Sequence, residues 1–173
     1  MGVKKNIILI AAAGVLLITA LFTYKERDLF SKQPMVAFSK IVNQGNLDTL
    51  TLTIYYVRPY TLTPIAWNVS DLISMYDEKI IIDGSDLVEH IDLFIQMSNV
   101  TPTPVADETQ MNARVYYVFK TSLGRKILEV SMWGGRPNRT IFVNGVEVEE
   151  NDIYYEILVP FLSEKALQGL GFR

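Results

Sequence analysis

Residues 113–148 read ARVYYVFKTSLGRKILEVSMWGGRPNRTIFVNGVEV, and the alternation within this stretch decides the fold. Apolar and polar side chains alternate in four short runs, which is typical of strands with one buried face. Asn144-Gly145 is the strongest hairpin signal, because both positions tolerate the positive φ of a type I′ turn. The stretch therefore predicts an antiparallel β-meander with strands over residues 113–121, 126–133, 139–143 and 146–148.

The segments on either side of the meander add strands and helices. In residues 48–57 an apolar row alternates with threonines, which predicts a half-exposed strand, and residues 79–83 predict a second one. Helices are predicted over residues 70–76 and 85–97, and after a cap at Asn151 or Asp152. Strands and helices in separate blocks predict an α+β fold, an antiparallel sheet with helices packed on one face. We expect the opposite face to be solvated or covered by a partner.

The first 24 residues differ in composition from the rest of the chain. Residues 7–24 carry no charge and follow Lys4 and Lys5, and as a helix they would span about 27 Å, close to the thickness of a bilayer core. They end in Leu21-Phe22-Thr23-Tyr24, which is a poor cleavage site, so an uncleaved anchor is favoured over a signal peptide. The predicted organisation is an anchor over 1–24, a tether over 25–46 and an α+β domain over 47–173, outside the cytoplasm.

Composition and charge exclude several classes of protein. Cysteine is absent, so neither a disulfide nor a zinc-thiolate site is possible. An exported domain without cysteine fits a bacterial cell surface. The net charge is −3, and residues 25–173, with 14 basic and 19 acidic side chains, carry −5. That balance argues against nucleic acid as a partner, because nucleic-acid binding needs a dense basic face.

Three stretches taken together suggest a relationship to a known group of proteins. They are YTLTPI at 60–65, RVYYVF at 114–119, and MWG at 132–134 followed by FVNGVEV at 142–148. Together they resemble a family of uncharacterised extracytoplasmic domains from Gram-positive bacteria. The resemblance implies an exported domain over most of residues 50–165, and it implies no activity, cofactor or catalytic residue.

Catalytic and metal-binding patterns are weak throughout the sequence. His90 is the only histidine, and its neighbours Glu89 and Asp92 cannot face it on a helix, so we interpret His90 as a structural residue. No nucleophile-elbow motif G-x-S-x-G occurs. The carboxylates fall mostly in turn-like positions, where solvated side chains are the simplest interpretation. The sequence therefore predicts no catalytic residue, no metal site and no cofactor.

Two surfaces remain as candidates for binding. Tyr55, Tyr116 and Trp133 are predicted on the sheet face opposite the apolar rows, where an aromatic patch would mark a partner-binding surface. The alternative is that a helix or the loop at 99–109 covers them. Arg136 and Arg139, with the Gly134-Gly135 backbone, form a possible anion site, for which the alternative is a solvated hairpin end.

These patterns leave two classes of function open. The first is a membrane-tethered, extracytoplasmic module that binds a protein or an envelope polymer without catalysing a reaction. The second is a cell-envelope hydrolase that uses carboxylates from separate strands. A deep pocket with convergent carboxylates would favour the hydrolase, and an aromatic sheet face would favour the binding module.

Overall fold

The computed structural model describes residues 33–58, 65–133 and 139–171, which form one antiparallel sheet with helices on its faces. The spatial order of the strands is β2-β1-β3-β4-β5-β6. Consecutive strands β3 to β6 are neighbours, so the predicted α+β class and the predicted β-meander are confirmed. The strands are β1 (Leu50–Tyr56), β2 (Glu78–Ile82), β3 (Val115–Thr121), β4 (Lys126–Trp133), β5 (Thr140–Val143) and β6 (Val146–Val148).

Short helices connect and flank the strands. The prediction of a single helix over residues 85–97 is wrong, because the chain turns at His90, whose φ of −116° is not helical, and two helices result. The helices are α1 (33–43), α2 (Val69–Ser74), α3 (Gly84–Val88), α4 (Ile91–Ser98), α5 (Ile153–Glu156) and α6 (Glu164–Gly169).

The Asn144-Gly145 turn sets the register of the meander. Asn144 has φ 50° and Gly145 has φ 82°, as a type I′ turn requires. The Asn144 backbone N–H donates to the Glu129 carbonyl at 2.9 Å, and the Asn144 side-chain oxygen accepts from the Glu129 N–H at 3.1 Å. These bonds hold the turn beside β4, so the hairpin prediction is confirmed.

The first face of the sheet carries the main core. Phe119 in β3 lies at its centre, with its ring 4.7 Å from Phe38 of α1 and 5.7 Å from Phe94 of α4. Buried side chains from α3, α5 and α6 join the same cluster. Burying a large apolar side chain stabilises a fold by about 1.5–3 kcal/mol, so this face supplies most of the apolar stabilisation.

Helix α1 corrects the predicted boundary between tether and domain. We expected residues 25–46 to be a tether, but 33–43 are helical, and Met35, Phe38 and Val42 are buried in the main core. These three residues repeat at helical spacing, a pattern that is easily missed in a segment rich in turn residues. Residues 25–32 lie outside the described part of the chain.

The predicted membrane anchor precedes the part of the chain that the structure describes. Residues 7–24 lie outside the described residues, and within the described ranges no helix is long and apolar enough to cross a membrane.

The second face of the sheet is partly covered, which corrects the expectation of helices on one face only. Leu72 of α2 packs there with Tyr116 and Val118 of β3, and Trp67 and Met111 pack against this second cluster. The Ala113 N–H donates to the Trp67 carbonyl at 2.7 Å, which joins the chain before α2 to the chain before β3. The middle of this face is therefore closed, while its ends are more open.

Candidate binding recess at the end of the second sheet face

The structure places the three predicted aromatic residues on one sheet face but in different surroundings. Tyr55 pairs with Tyr116 across β1 and β3, and Trp133 lies on β4, two residues beyond the Ser131 that pairs with Tyr116. All three side chains therefore point to the second face, as the alternation predicts.

Tyr116 is a structural residue, which corrects its assignment to a binding surface. It is only 2 % exposed, and its hydroxyl donates to the Glu129 carboxylate at 2.7 Å. Burial and the bond to Glu129 raise the pKa of its phenol well above the usual range. The second cluster covers its ring, so a partner has no access to it.

Tyr55 lies on the far side of this covered centre. Its ring is 5.5 Å from the Tyr76 ring and 5.5 Å from the Lys79 ammonium group, and it is half-buried. Two strand spacings of about 4.8 Å separate β1 from β4. Tyr55 and Trp133 thus do not form one continuous patch, because the buried Tyr116 and its cover lie between them.

Trp133 lines an open recess with a volume of about 580 Å³. The recess lies where β4 ends and β5 begins, beside the chain segment that leads into β3. Its volume is within the range of about 300–1,000 Å³ that is typical of small-molecule sites. The lining residues combine an indole with amides, hydroxyls and one guanidinium group: Ala66, Thr109, Gln110, Asn112, Trp133, Arg139 and Thr140.

Hydrogen bonds from neighbouring elements hold the walls of the recess. The Thr109 N–H and hydroxyl donate to the Glu147 carboxylate of β6 at 2.5 and 3.0 Å. The Asn112 side-chain oxygen accepts from the Trp67 N–H at 3.1 Å. The Tyr155 hydroxyl donates to the Trp133 carbonyl at 3.3 Å. These bonds position the walls before any ligand arrives, which lowers the entropy cost of binding.

Arg139 is already paired with carboxylates, which changes its predicted role. Its side chain is only 2 % exposed, and its Nη1 donates to Glu150 at 3.4 Å and to Asp152. The guanidinium carbon also lies 4.3 Å from the centre of the Tyr155 ring. Two negative charges thus already face the one positive charge of Arg139. The anion site stays a prediction, because the Gly134-Gly135 backbone lies outside the described residues. Arg136, the other residue of the predicted anion site, lies outside the described residues.

The remaining predicted constellations have structural explanations. His90 is half-buried, and its ring packs edge-on against Phe161 at 5.1 Å, in agreement with a structural histidine. Among the described residues no group of three or more His, Cys, Asp or Glu side chains could hold a metal ion.

Comparison with known proteins adds no assignment. No protein-family model, curated protein or solved structure significantly matches this chain. The resemblance to extracytoplasmic domains of Gram-positive bacteria stays a prediction.

A second recess, of about 390 Å³, lies between α1 and the segment after α4. Half of its described lining residues are apolar and half carry a hydroxyl or an amide: Met35, Val36, Val100 and Pro102, with Ser39, Ser98, Asn99 and Thr101. No aromatic or charged side chain is among its described lining residues. It therefore has polar groups that could orient a ligand but no aromatic side chain for a ligand to pack on, so the Trp133 recess is the stronger candidate.

Sequence reasoning found two members of the Trp133 recess and missed the others. Trp133 and Arg139 were assigned to separate sites, yet both line this one recess. Thr109 was assigned to a loop, and Gln110 and Asn112 received no role. Their contribution depends on the Glu147 and Trp67 contacts, which lie 38 and 45 residues away in sequence and leave no local signal.

Proposed function

We propose that this protein is a membrane-tethered, extracytoplasmic module that binds a protein or an envelope polymer without catalysing a reaction. The apolar segment at residues 7–24 supports the tether and the location outside the cytoplasm. The binding role is supported by the Trp133 recess, a preorganised site with one aromatic side chain and several hydrogen-bonding groups.

The recess carries this proposal because its composition is typical of a recognition site. A half-buried indole offers apolar contact area at a low entropy cost, and it is enriched where proteins bind partners. Amide and hydroxyl groups around it provide orientation and specificity. Both kinds of group occur together here, on walls held by three separate elements.

The alternative of a carboxylate hydrolase gains no support from the described residues. Glu150 and Asp152 converge on the same atom, Nη1 of Arg139, where they neutralise a buried guanidinium group. A hydrolase of the predicted kind needs two carboxylates that flank a substrate bond. These two carboxylates instead connect α5 to the start of β5.

The test is a pull-down from native membranes with the tagged full chain and its Trp133→Ala variant. We expect Trp133→Ala to reduce partner recovery at least tenfold. Because Trp133 is only half-buried, the free energy of unfolding should fall by no more than about 2 kcal/mol. Recovery is quantified by mass spectrometry, and stability by thermal unfolding.

Trp67→Ala is the matched control, because Trp67 is also half-buried on this face but does not line the recess. It should keep the partner at a similar loss of stability. If the Trp133→Ala variant is folded and recovers as much partner as the wild type, the recess is not the binding site. Equal loss of partner in both variants would show that Trp133 serves only the fold.

A further inference from the structure

We infer that the Trp133 recess binds an uncharged glycan, so that the polymer recognised is a sugar chain rather than a polypeptide or an anionic polymer. This inference rests on the proposed binding function and assigns its ligand class. Three observations carry it: the groups that line the recess, its charge balance and its open shape.

The lining suits the two chemical surfaces of a sugar ring. A pyranose presents a face of C–H bonds, which packs on an aromatic ring, and a rim of hydroxyls, which pair with amides and hydroxyls. Trp133 provides the ring, Gln110 and Asn112 provide amides, and Thr109 and Thr140 provide hydroxyls. Because the Asn112 oxygen accepts from the Trp67 N–H, its amide nitrogen is the group that it offers as a donor.

The charge balance disfavours an anionic ligand. Arg139 is the one cationic residue in the described lining, and Glu150 and Asp152 both bind it. The local balance of these three groups is −1, and residues 25–173 as a whole carry −5. The one cation of the described lining is thus already compensated by carboxylates, so it gives an anionic polymer little attraction, whereas a neutral glycan needs no cation.

The shape suits a chain that passes through the site. The recess of about 580 Å³ is open to solvent and lies at the end of the sheet, rather than enclosed in the core. An open site admits an internal unit of a polymer as well as a free end. Thr109 and Gln110 at its margin are exposed. The Gln110 amide is therefore accessible to a neighbouring sugar unit, and the Thr109 hydroxyl, whose proton is donated to Glu147, offers its oxygen as an acceptor.

The test uses the full chain in a detergent without a sugar head group, because a glycosidic detergent would compete for the recess. The chain has two tryptophans, so Trp67→Phe leaves Trp133 as the sole indole reporter. A neutral N-acetylglucosamine tetramer is added to this variant while Trp133 fluorescence is recorded. Calorimetry with the wild-type chain measures the Kd of the same tetramer. We expect a saturable shift in emission, and no shift with glycerol phosphate oligomers.

Gln110→Ala and Gln96→Ala form a matched pair for the calorimetry. Both glutamines are exposed, but Gln110 lines the recess whereas Gln96 lies on α4 at the other face. We expect Gln110→Ala to raise the Kd at least fivefold and Gln96→Ala to leave it unchanged, with the same thermal unfolding in both. Trp133→Ala should raise the Kd more than tenfold.

The failures of the two proposals are distinguishable. If the tetramer does not bind at millimolar concentration while the membrane pull-down still depends on Trp133, the glycan assignment is wrong and a protein partner is indicated. Binding that is insensitive to both Gln110→Ala and Trp133→Ala would place the glycan elsewhere and overturn the inference. If the tetramer does not bind and the membrane pull-down does not depend on Trp133 either, the proposed binding function itself is refuted.

Discussion

At the scale of single residues, burial separates side chains that look equivalent in sequence. Tyr116 and Trp133 lie on the same sheet face, yet Tyr116 is enclosed and bonded to Glu129 while Trp133 lines a recess. The difference arises from α2 and the chain around Trp67, which cover only the middle of the face. A strand pattern reports which face a residue occupies, and the covering elements decide whether it is exposed.

The described structure buries five tyrosines whose phenols have a raised pKa. Burial raises the pKa of five phenols above the ordinary value of 10.0, and for Tyr56 it reaches about 12, with Glu78 and Asp77 adding to the effect. The five are Tyr56, Tyr116, Tyr117, Tyr154 and Tyr155.

We predict cooperative alkaline unfolding above about pH 10. Below the unfolded pKa of 10.0 these tyrosines are neutral in both states and contribute no pH dependence. Between pH 10 and about 12 the unfolded chain loses protons that the folded chain keeps, so each tyrosine lowers the free energy of unfolding by up to about 1.4 kcal/mol per pH unit. Denaturant unfolding at a series of pH values measures this slope.

Tyr56→Phe is the control for the alkaline transition. It should make the slope between pH 10 and 12 shallower by up to about 1.4 kcal/mol per pH unit and leave the slope below pH 9 unchanged. Phenolate absorbance from the buried tyrosines should rise together with the loss of circular dichroism. Ionisation of all five in a chain that is still folded would contradict the prediction.

At the scale of elements, α1 shows how a segment that resembles a tether becomes part of the core. Met35, Phe38 and Val42 share one face of the helix and pack on the first sheet face, where the Phe38 ring lies 4.7 Å from that of Phe119. The opposite side of α1 is solvated, as Val36 at 68 % exposure shows. The helix therefore closes the core over the centre of β3.

We predict that Phe38→Ala lowers the free energy of unfolding by about 3–5 kcal/mol, because it leaves a cavity between α1, α4 and β3. The exposed Val36 of the same helix is the control, and Val36→Ala should change stability by less than about 0.5 kcal/mol. Chemical denaturation of the full chain measures both. If Phe38→Ala is about as stable as the wild type, residues 33–43 do not contribute to the core and act as a tether, as the sequence predicted.

At the scale of the whole molecule, the two sheet faces have different roles, one in stability and one in the proposed binding. The first face is closed by α1, α3, α4, α5 and α6 and provides stability. The second face is covered in the middle and leaves the Trp133 recess at one end. A ligand at that end meets walls from the sheet and from the chain before β3, so binding does not require the main core to open.

We predict that residues 7–24 stay attached and hold the protein in the membrane, because the uncharged run lacks a good cleavage site. N-terminal sequencing of protein from its native host should find the original start of the chain in the membrane fraction. A mature chain that begins near Leu21 or Lys25 in the soluble fraction would contradict the anchor. Because cleavage would remove nothing from residues 33–171, the described domain should stay folded in either case.

Local sequence signals determined the strands, the hairpin and the fold class. Alternation identified β1, β3 and β4, and Asn144-Gly145 identified the turn between β5 and β6, because side-chain direction and positive φ are properties of neighbouring residues. The same signals placed Tyr55 and Trp133 on the second face.

Tertiary structure alone decided what covers each face and which residues meet. It buried Tyr116, drew α1 into the core and paired Arg139 with Glu150 and Asp152. It also brought Asn112 and Thr109 beside Trp133 through contacts with Trp67 and Glu147. These outcomes depend on packing between segments that are distant along the chain. Only α1 left a local signal, the helical spacing of Met35, Phe38 and Val42, and that spacing indicates an apolar helix face without saying what the face packs against.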